Sequence, residues 1–180
     1  MTVLGDAVVA AAARGDVDAI EAVYRGLSPR VLGYLRTRGV EDPEGVTNDV
    51  FMAVVPRLPD VRGGSAGLQT LVFSVAHARA VDDHRRRTRR PVSASYEPDL
   101  DPRLVDSAEN AALAVTTDVV GDLLDELSEE QRAVVMLRVV ADLSLEQTAD
   151  VLGRTVGSVK QLQRRGLLRL RKVLDERRPS

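Results

Sequence analysis

The chain has 180 residues, 44% apolar and 29% charged, with a formal net charge of −2, which suits a folded soluble protein of one ordinary domain or two small ones. It contains no cysteine, which excludes disulfides, zinc–thiolate sites and thiol redox sensing. No apolar run approaches the ~20 residues of a membrane span, and no basic residue precedes the apolar stretch of "MTVLGDAVVAAAARGD", so the expectation is a cytoplasmic protein without a signal peptide or membrane insertion.

Apolar residues recur at helical spacing with little alternation, which predicts an all-α fold. "DVDAIEAVYRGL" reads as a helix starting near Asp16. "SPRVLGYLRTRG" reads as a fresh start, with Ser28 as N-cap, Pro29 in the first helical position and Gly39 at the end. "DPEGVTNDVFMAVVPRL" follows, capped by Asp42 and closed by Pro56 and Pro59, and the glycine-rich "PDVRGGSAG" reads as a loop. A longer helix is expected from about Leu68 to Arg90, ended by Pro91. From Val92 to about Asp106, prolines, serines and aspartates replace large apolar residues, as in a flexible linker.

A second helical unit begins after it. "TDVVGDLLDEL" reads as one helix. Ser128 with Gln131, and then Ser144 with Gln147, have the spacing of capping boxes, in which each side chain satisfies a backbone N–H at the helix start. Gly153 ends the helix that opens at Ser144, and Thr155 caps the last one, which runs to about Glu176. The expected organisation is a first unit over 1–91, an acidic linker over 92–115, and a second unit over 116–180.

Charge is segregated along this frame. "RRRTRR" (85–90) carries five positive charges; residues 97–126 hold nine acidic residues against Arg103; residues 154–178 hold nine basic residues against Asp175 and Glu176. A near-neutral total therefore accommodates two polyanion-binding surfaces. The second lies on "LSLEQTADVLGRTVGSVKQLQRRGLLRLRKVL", a helix-turn-helix pattern turning at Gly153. On its second helix Val159, Leu162, Gly166, Leu170 and Val173 form one stripe, which predicts packing. Gly157, Gln161, Arg164, Arg165 and Leu168 lie opposite, free for a DNA groove, where arginine bridges guanine or phosphate and glutamine reads adenine. The bland alternative is a solvated basic face, and the same alternative stands for 85–90.

His77, Asp82, Asp83 and His84 invite a metal reading, but neighbours at 82, 83 and 84 point in different directions on a helix. No catalytic, cofactor-binding or metal constellation is predicted. Phe51, Phe73, Tyr24 and Tyr34 read as core residues among Val and Leu. Three functions compete: a polymerase-dependent promoter-recognition factor, a stand-alone helix-turn-helix regulator that acts as a dimer, and a helical metal-dependent phosphohydrolase, which needs a convergent His/Asp cluster.

Three further stretches sharpen the choice: "AIEAVYRGLSPRVLGYLRTRG", "DPEGVTNDVFMAVV" and "LQTLVFSVAHARAVDDHRRRTRR". Taken in order with the helix-turn-helix, they resemble the bacterial RNA polymerase sigma factors of the extracytoplasmic-function group over nearly the whole chain. The resemblance implies a non-enzymatic, two-domain initiation factor without cofactors. Val46, Asn48, Asp49 and Phe51 would bind the polymerase β′ clamp helices, with Asn48, Asp49 and Phe51 facing them. The loop from Asp60 to Ala66, with Val61, Arg62 and Ser65, would hold an unstacked base of the downstream (−10) element. His77, His84, Arg85 and Arg86 would contact the same DNA. Arg154, Thr155, Ser158, Lys160, Gln161, Arg164 and Arg165 would contact the upstream (−35) element, in a unit that also meets the β flap. An anti-sigma protein is the expected further partner. The chain departs from the family pattern at Gly45, at Leu71 in place of a frequent Trp, at Ala78 in place of a frequent Asn, and at Leu162-Gln163.

Overall fold

The computed structural model describes residues 4–89 and 121–177, and all regular structure among them is helical. The first unit contains α1 (Asp6–Ala13), α2 (Val17–Thr37), α3 (Pro43–Val54), a 3₁₀ turn (Val55–Asp60) and α4 (Gly64–Arg89). The second contains helical residues 121–125 (α5), then α6 (Glu129–Val139), α7 (Leu145–Leu152) and α8 (Val156–Glu176). The expected linker over 92–115, Arg90 and the start of the second unit lie outside the described residues.

Two expectations in the first unit are corrected, and one helix is added to those read from the sequence. The apolar N-terminal stretch forms α1, which buries Val9 and Ala12. The chain does not restart at Ser28: α2 runs unbroken through Pro29. A proline inside a helix costs about 3 kcal/mol, but Val23, Leu27, Val31, Tyr34 and Leu35 fall on one buried stripe that spans it. Burial of each large apolar side chain contributes about 1.5–3 kcal/mol, so the stripe outweighs the proline. Finally, the loop expected from Asp60 to Ala66 shrinks to residues 61–63, because Pro56 and Pro59 sit within the 3₁₀ turn and α4 already starts at Gly64.

The caps follow the sequence. Asp16 accepts from the Ala19 N–H at 2.8 Å, and Asp42 from the Gly45 N–H at 2.9 Å. Both capping boxes form at Ser128/Gln131 and Ser144/Gln147. Gly153 takes the left-handed conformation, φ 60°, that ends α7.

A main apolar cluster joins Leu27, Val31, Tyr34, Leu68 and Phe73 of the first unit to Leu127, Leu137 and Leu143 of the second. A smaller one, Val134, Ala149 and Val159, is internal to the helix-turn-helix. The second unit is therefore seated on the first, with α7 lying against α4.

Candidate nucleic-acid interface

On α3, Asp42 caps the helix so closely that a Cβ on residue 45 would stand 2.1 Å from its Oδ2. Gly45 thus gives room to its own cap. Two turns on, Asn48 and Asp49 are exposed and Val46 is half-buried. Tyr24 Oη donates to Asn48 Oδ1 at 3.0 Å, and the Tyr24 ring meets the Phe51 ring edge-on at 4.8 Å. Phe51 is buried, so it positions this surface from beneath and does not itself face outward. Met52, 77% exposed, and Val55 complete the face. Sequence reasoning missed them, although their i+4 and i+7 spacing from Asn48 was the available signal.

The second surface is a cavity of about 750 Å³ between the end of α3, the 3₁₀ turn and α4. Arg57, Arg62 and Arg79 line it with Leu71, Ser74 and Ala78, while Asp60 and Asp82 add acceptors. Two constraints shape its wall. A Cβ on residue 67 would stand 1.7 Å from the Arg62 carbonyl oxygen, so only glycine lets the loop fold back on α4. Asp6 of α1 accepts from the Ser65 N–H at 2.8 Å, capping α4 from a distant helix, and this contact holds its carboxyl below the usual range. The expected loop residues Asp60, Val61 and Arg62 do line the cavity, whereas Ser65 belongs to the first turn of α4. Leu71 and Ala78 both line the cavity too. Arg57 and Arg79 were not anticipated. Arg79 is four residues beyond Val75 and eight beyond Leu71, one stripe that the sequence did display.

His77 leaves this set. Its Nδ1 lies 2.8 Å from Tyr34 Oη, and burial, reinforced by the Arg38 charge, pushes its pKa down to about 4. It is a neutral group turned toward the core, without a cation for DNA. His84 lies in a crevice with Arg38, Leu127, Glu129 and Arg132. Arg85 and Arg86 are exposed on the last turns of α4, while Arg87 pairs with Asp83 at 3.0 Å.

The third surface is α8. Thr155 accepts from the Ser158 N–H at 3.2 Å, so both residues contribute to the helix start. Val159, Gly166 and Val173 are buried, and the opposite positions Gly157, Gln161, Arg164, Arg165 and Leu168 are exposed. A Cβ on Gly166 would press Val135 Cγ2 at 3.1 Å, so glycine allows α8 close to α6. Ion pairing divides the basic residues. Arg154 pairs with Glu130, Arg169 with Glu126, Arg171 with Asp175, Lys172 with Glu176 and Arg177 with Asp122. Among the described residues, Lys160, Arg164 and Arg165 have no such partner. Cations without an ion pair are thus concentrated on the N-terminal half of α8, whose first turn also favours an anion through the helix dipole.

Residues 123–172 match the family described as Sigma-70, region 4. The chain is 34% identical over 176 residues to the extracytoplasmic-function RNA polymerase sigma factor SigD of Mycobacterium tuberculosis, covering 92% of this chain and 82% of that one. It is 31% identical to ShbA of Streptomyces griseus, covering 97% of each. The chain belongs to the extracytoplasmic-function sigma factors. It is therefore a transcription initiation factor that directs RNA polymerase to promoters, and the stand-alone regulator is not favoured. Its fold is shared with CnrH, solved in complex with the cytosolic domain of CnrY, at a TM-score of 0.73 and 21% identity over 97% of this chain. Among the described residues of this sigma factor, no helix is long and apolar enough to cross a membrane.

Proposed function

We propose that the three surfaces divide the work of initiation. The face of Asn48, Asp49, Met52 and Val55, held from below by Val46 and Phe51, meets the β′ clamp helices. A carboxylate beside an exposed methionine suits a partner that combines cationic and apolar groups. The cavity beside α4 receives the downstream element as a single strand. Arg57, Arg62 and Arg79 hold phosphates there, and Asp60 and Asp82 accept from base edges. Among the described residues no aromatic side chain lines the cavity, so recognition by them relies on hydrogen bonds and shape rather than on stacking. Arg85 and Arg86 supply backbone contacts to the same strand.

The start of α8 enters the major groove of the upstream element. The three unpaired cations Lys160, Arg164 and Arg165 carry this assignment, with Gln161 on the same exposed face to read a base. Thr155 and Ser158 bring the helix N-terminus to a phosphate, and Arg154 adds its charge beside it. The second unit also binds the β flap, and residues 92–115 join the two units within the polymerase. In this reading the protein is a binding factor, and the chemistry belongs to the polymerase. A separate anti-sigma protein competes for the Asn48–Phe51 surface.

Mixing the purified protein with core polymerase tests the division. Co-elution in gel filtration is expected. Separate elution, with tight dimeric binding of the free protein to palindromic DNA, would return the stand-alone regulator.

A further inference from the structure

The turn that forms one wall of the α4 groove has little of its own to hold its shape. Gly63 and Gly64 both lie in the left-handed region, at φ 81° and 59°, and glycine is the residue least restrained by its own backbone. A hold from elsewhere in the first unit comes from Asp6 of α1, whose Oδ1 accepts from the Ser65 N–H at 2.8 Å. That N–H is one of the first donors of α4, which have no partner within the helix. The same carboxylate stands over Gly64, where a Cβ would meet its Oδ1 at 2.4 Å. We propose that Asp6 is a positioning residue for promoter reading: its carboxylate sets the place of the 61–65 turn against α4, and with it Asp60 and Arg62, and so fixes which base of the single-stranded downstream element the groove accepts. This rests on the reading of that groove as the promoter site.

An aspartate in the first turn of a helix also suits that helix's own dipole, yet the Asp6 carboxylate is aimed at another helix. Asp6 is exposed, while Leu4, Val9 and Ala12 anchor α1 in the core. α1 lies against both the 3₁₀ turn and α4, the elements that carry Arg57, Asp60 and Arg79. Asp6 does not itself line the cavity, so it acts through the turn. The turn moves as a block: the Val61 N–H bonds to the Leu58 carbonyl at 3.1 Å and the Gly67 N–H to the Gly63 carbonyl at 3.2 Å, while Arg62 Nη1 donates to the Pro59 carbonyl at 3.4 Å. Any displacement therefore shifts Asp60 and Arg62 together, relative to Leu71, Ser74 and Ala78 on α4. Hydrogen bonds to a base edge tolerate little change in distance or angle, whereas arginines hold phosphates largely through charge. Loosening the turn should thus cost discrimination between bases before it costs overall binding.

Two substitutions separate positioning from simple support. Asp6→Ala removes the acceptor, whereas Asp6→Asn keeps an oxygen for the Ser65 N–H, as asparagine does at helix starts. Holoenzyme reconstituted with core polymerase is titrated with labelled fork-junction DNA whose downstream element is single-stranded, in versions that differ by one base of that element. The readout is the ratio of affinity for the preferred base to affinity for the other three at the most sensitive position. Asp6→Ala should lower this ratio about threefold or more, with affinity for core polymerase and for duplex upstream DNA unchanged. Asp6→Asn should restore most of it. An unchanged ratio in Asp6→Ala, even with a lower melting temperature, makes Asp6 a support of the fold alone and overturns the inference. An Asp6→Asn variant that fails as fully as Asp6→Ala overturns it too. Wild-type holoenzyme that binds every version alike would instead sink the reading of the groove, and this inference with it.

Discussion

Tyr34 Oη and His77 Nδ1 lie 2.8 Å apart, joining α2 to α4 inside the first unit. Burial raises the Tyr34 phenol well above its ordinary range and pushes His77 down to about 4. Both groups are neutral at physiological pH, and the contact is a structural hydrogen bond between them.

Burial of His77, reinforced by the Arg38 charge, makes stability depend on pH in one direction. The unfolded imidazole takes up a proton near its ordinary 6.5, whereas the folded one does so only near 4. Between those values the unfolded state binds more protons, so this contribution is complete above 6.5 and is lost as pH falls toward 4. The loss should be on the order of 2 kcal/mol, below the full linkage value because the ring is only partly buried. Urea midpoints at about pH 7 and about pH 4.5 should show it, and His77→Gln should lack that component.

The groove wall predicts a sharp cost at one glycine. Gly67→Ala places a methyl on the Arg62 carbonyl, so the 61–63 loop must move. A loss of about 1–3 kcal/mol of stability is expected, with weakened binding of single-stranded DNA. Gly5→Ala, which meets no atom within 4 Å, should leave both unchanged.

On α8, unpaired and paired arginines should separate. Arg164→Ala and Arg165→Ala should each weaken binding to the upstream element, by about 1–3 kcal/mol for a base contact, or with a salt slope reduced by about one for a phosphate contact. Arg169→Ala, whose partner is Glu126, should do neither. Titration of duplex DNA across salt concentrations distinguishes the outcomes, and three equal responses would reject the division of charge.

Much of the second unit was legible because its signals are local. Two capping boxes, the Gly153 turn and the stripe from Val159 to Val173 each depend on residues within one or two turns. In the first unit Ser28-Pro29 carries the same local signature as a helix start, yet the chain continues, because the stripe from Val23 to Leu35 is buried by partners distant in sequence. The same limit hid Asp6 as the cap of α4, Arg57 and Arg79 in the groove, and the inward turn of His77. Each depends on which helices meet, a property of the assembled core. The close approach of Val140 to Gly33 of α2 is of the same kind, since it depends on a residue far along the chain.

The α3 face predicts a separation of function from fold. Asp49 is exposed, so Asp49→Arg should change stability by no more than about 0.5 kcal/mol. Affinity for core polymerase should nevertheless fall, as a carboxylate facing a basic surface becomes a like charge. Competition binding against the wild-type protein measures this, and undiminished affinity would remove Asp49 from the polymerase surface.

Promoter-selective run-off transcription tests the central claim most directly. Core polymerase, a genomic template library and the purified protein are combined, and transcript starts are mapped with and without the protein. The account predicts new starts that share two upstream elements, and their loss when Asp49→Arg or the Arg164→Ala/Arg165→Ala pair is used. Starts unchanged by the protein, from a core preparation that responds normally to another sigma factor, would contradict it.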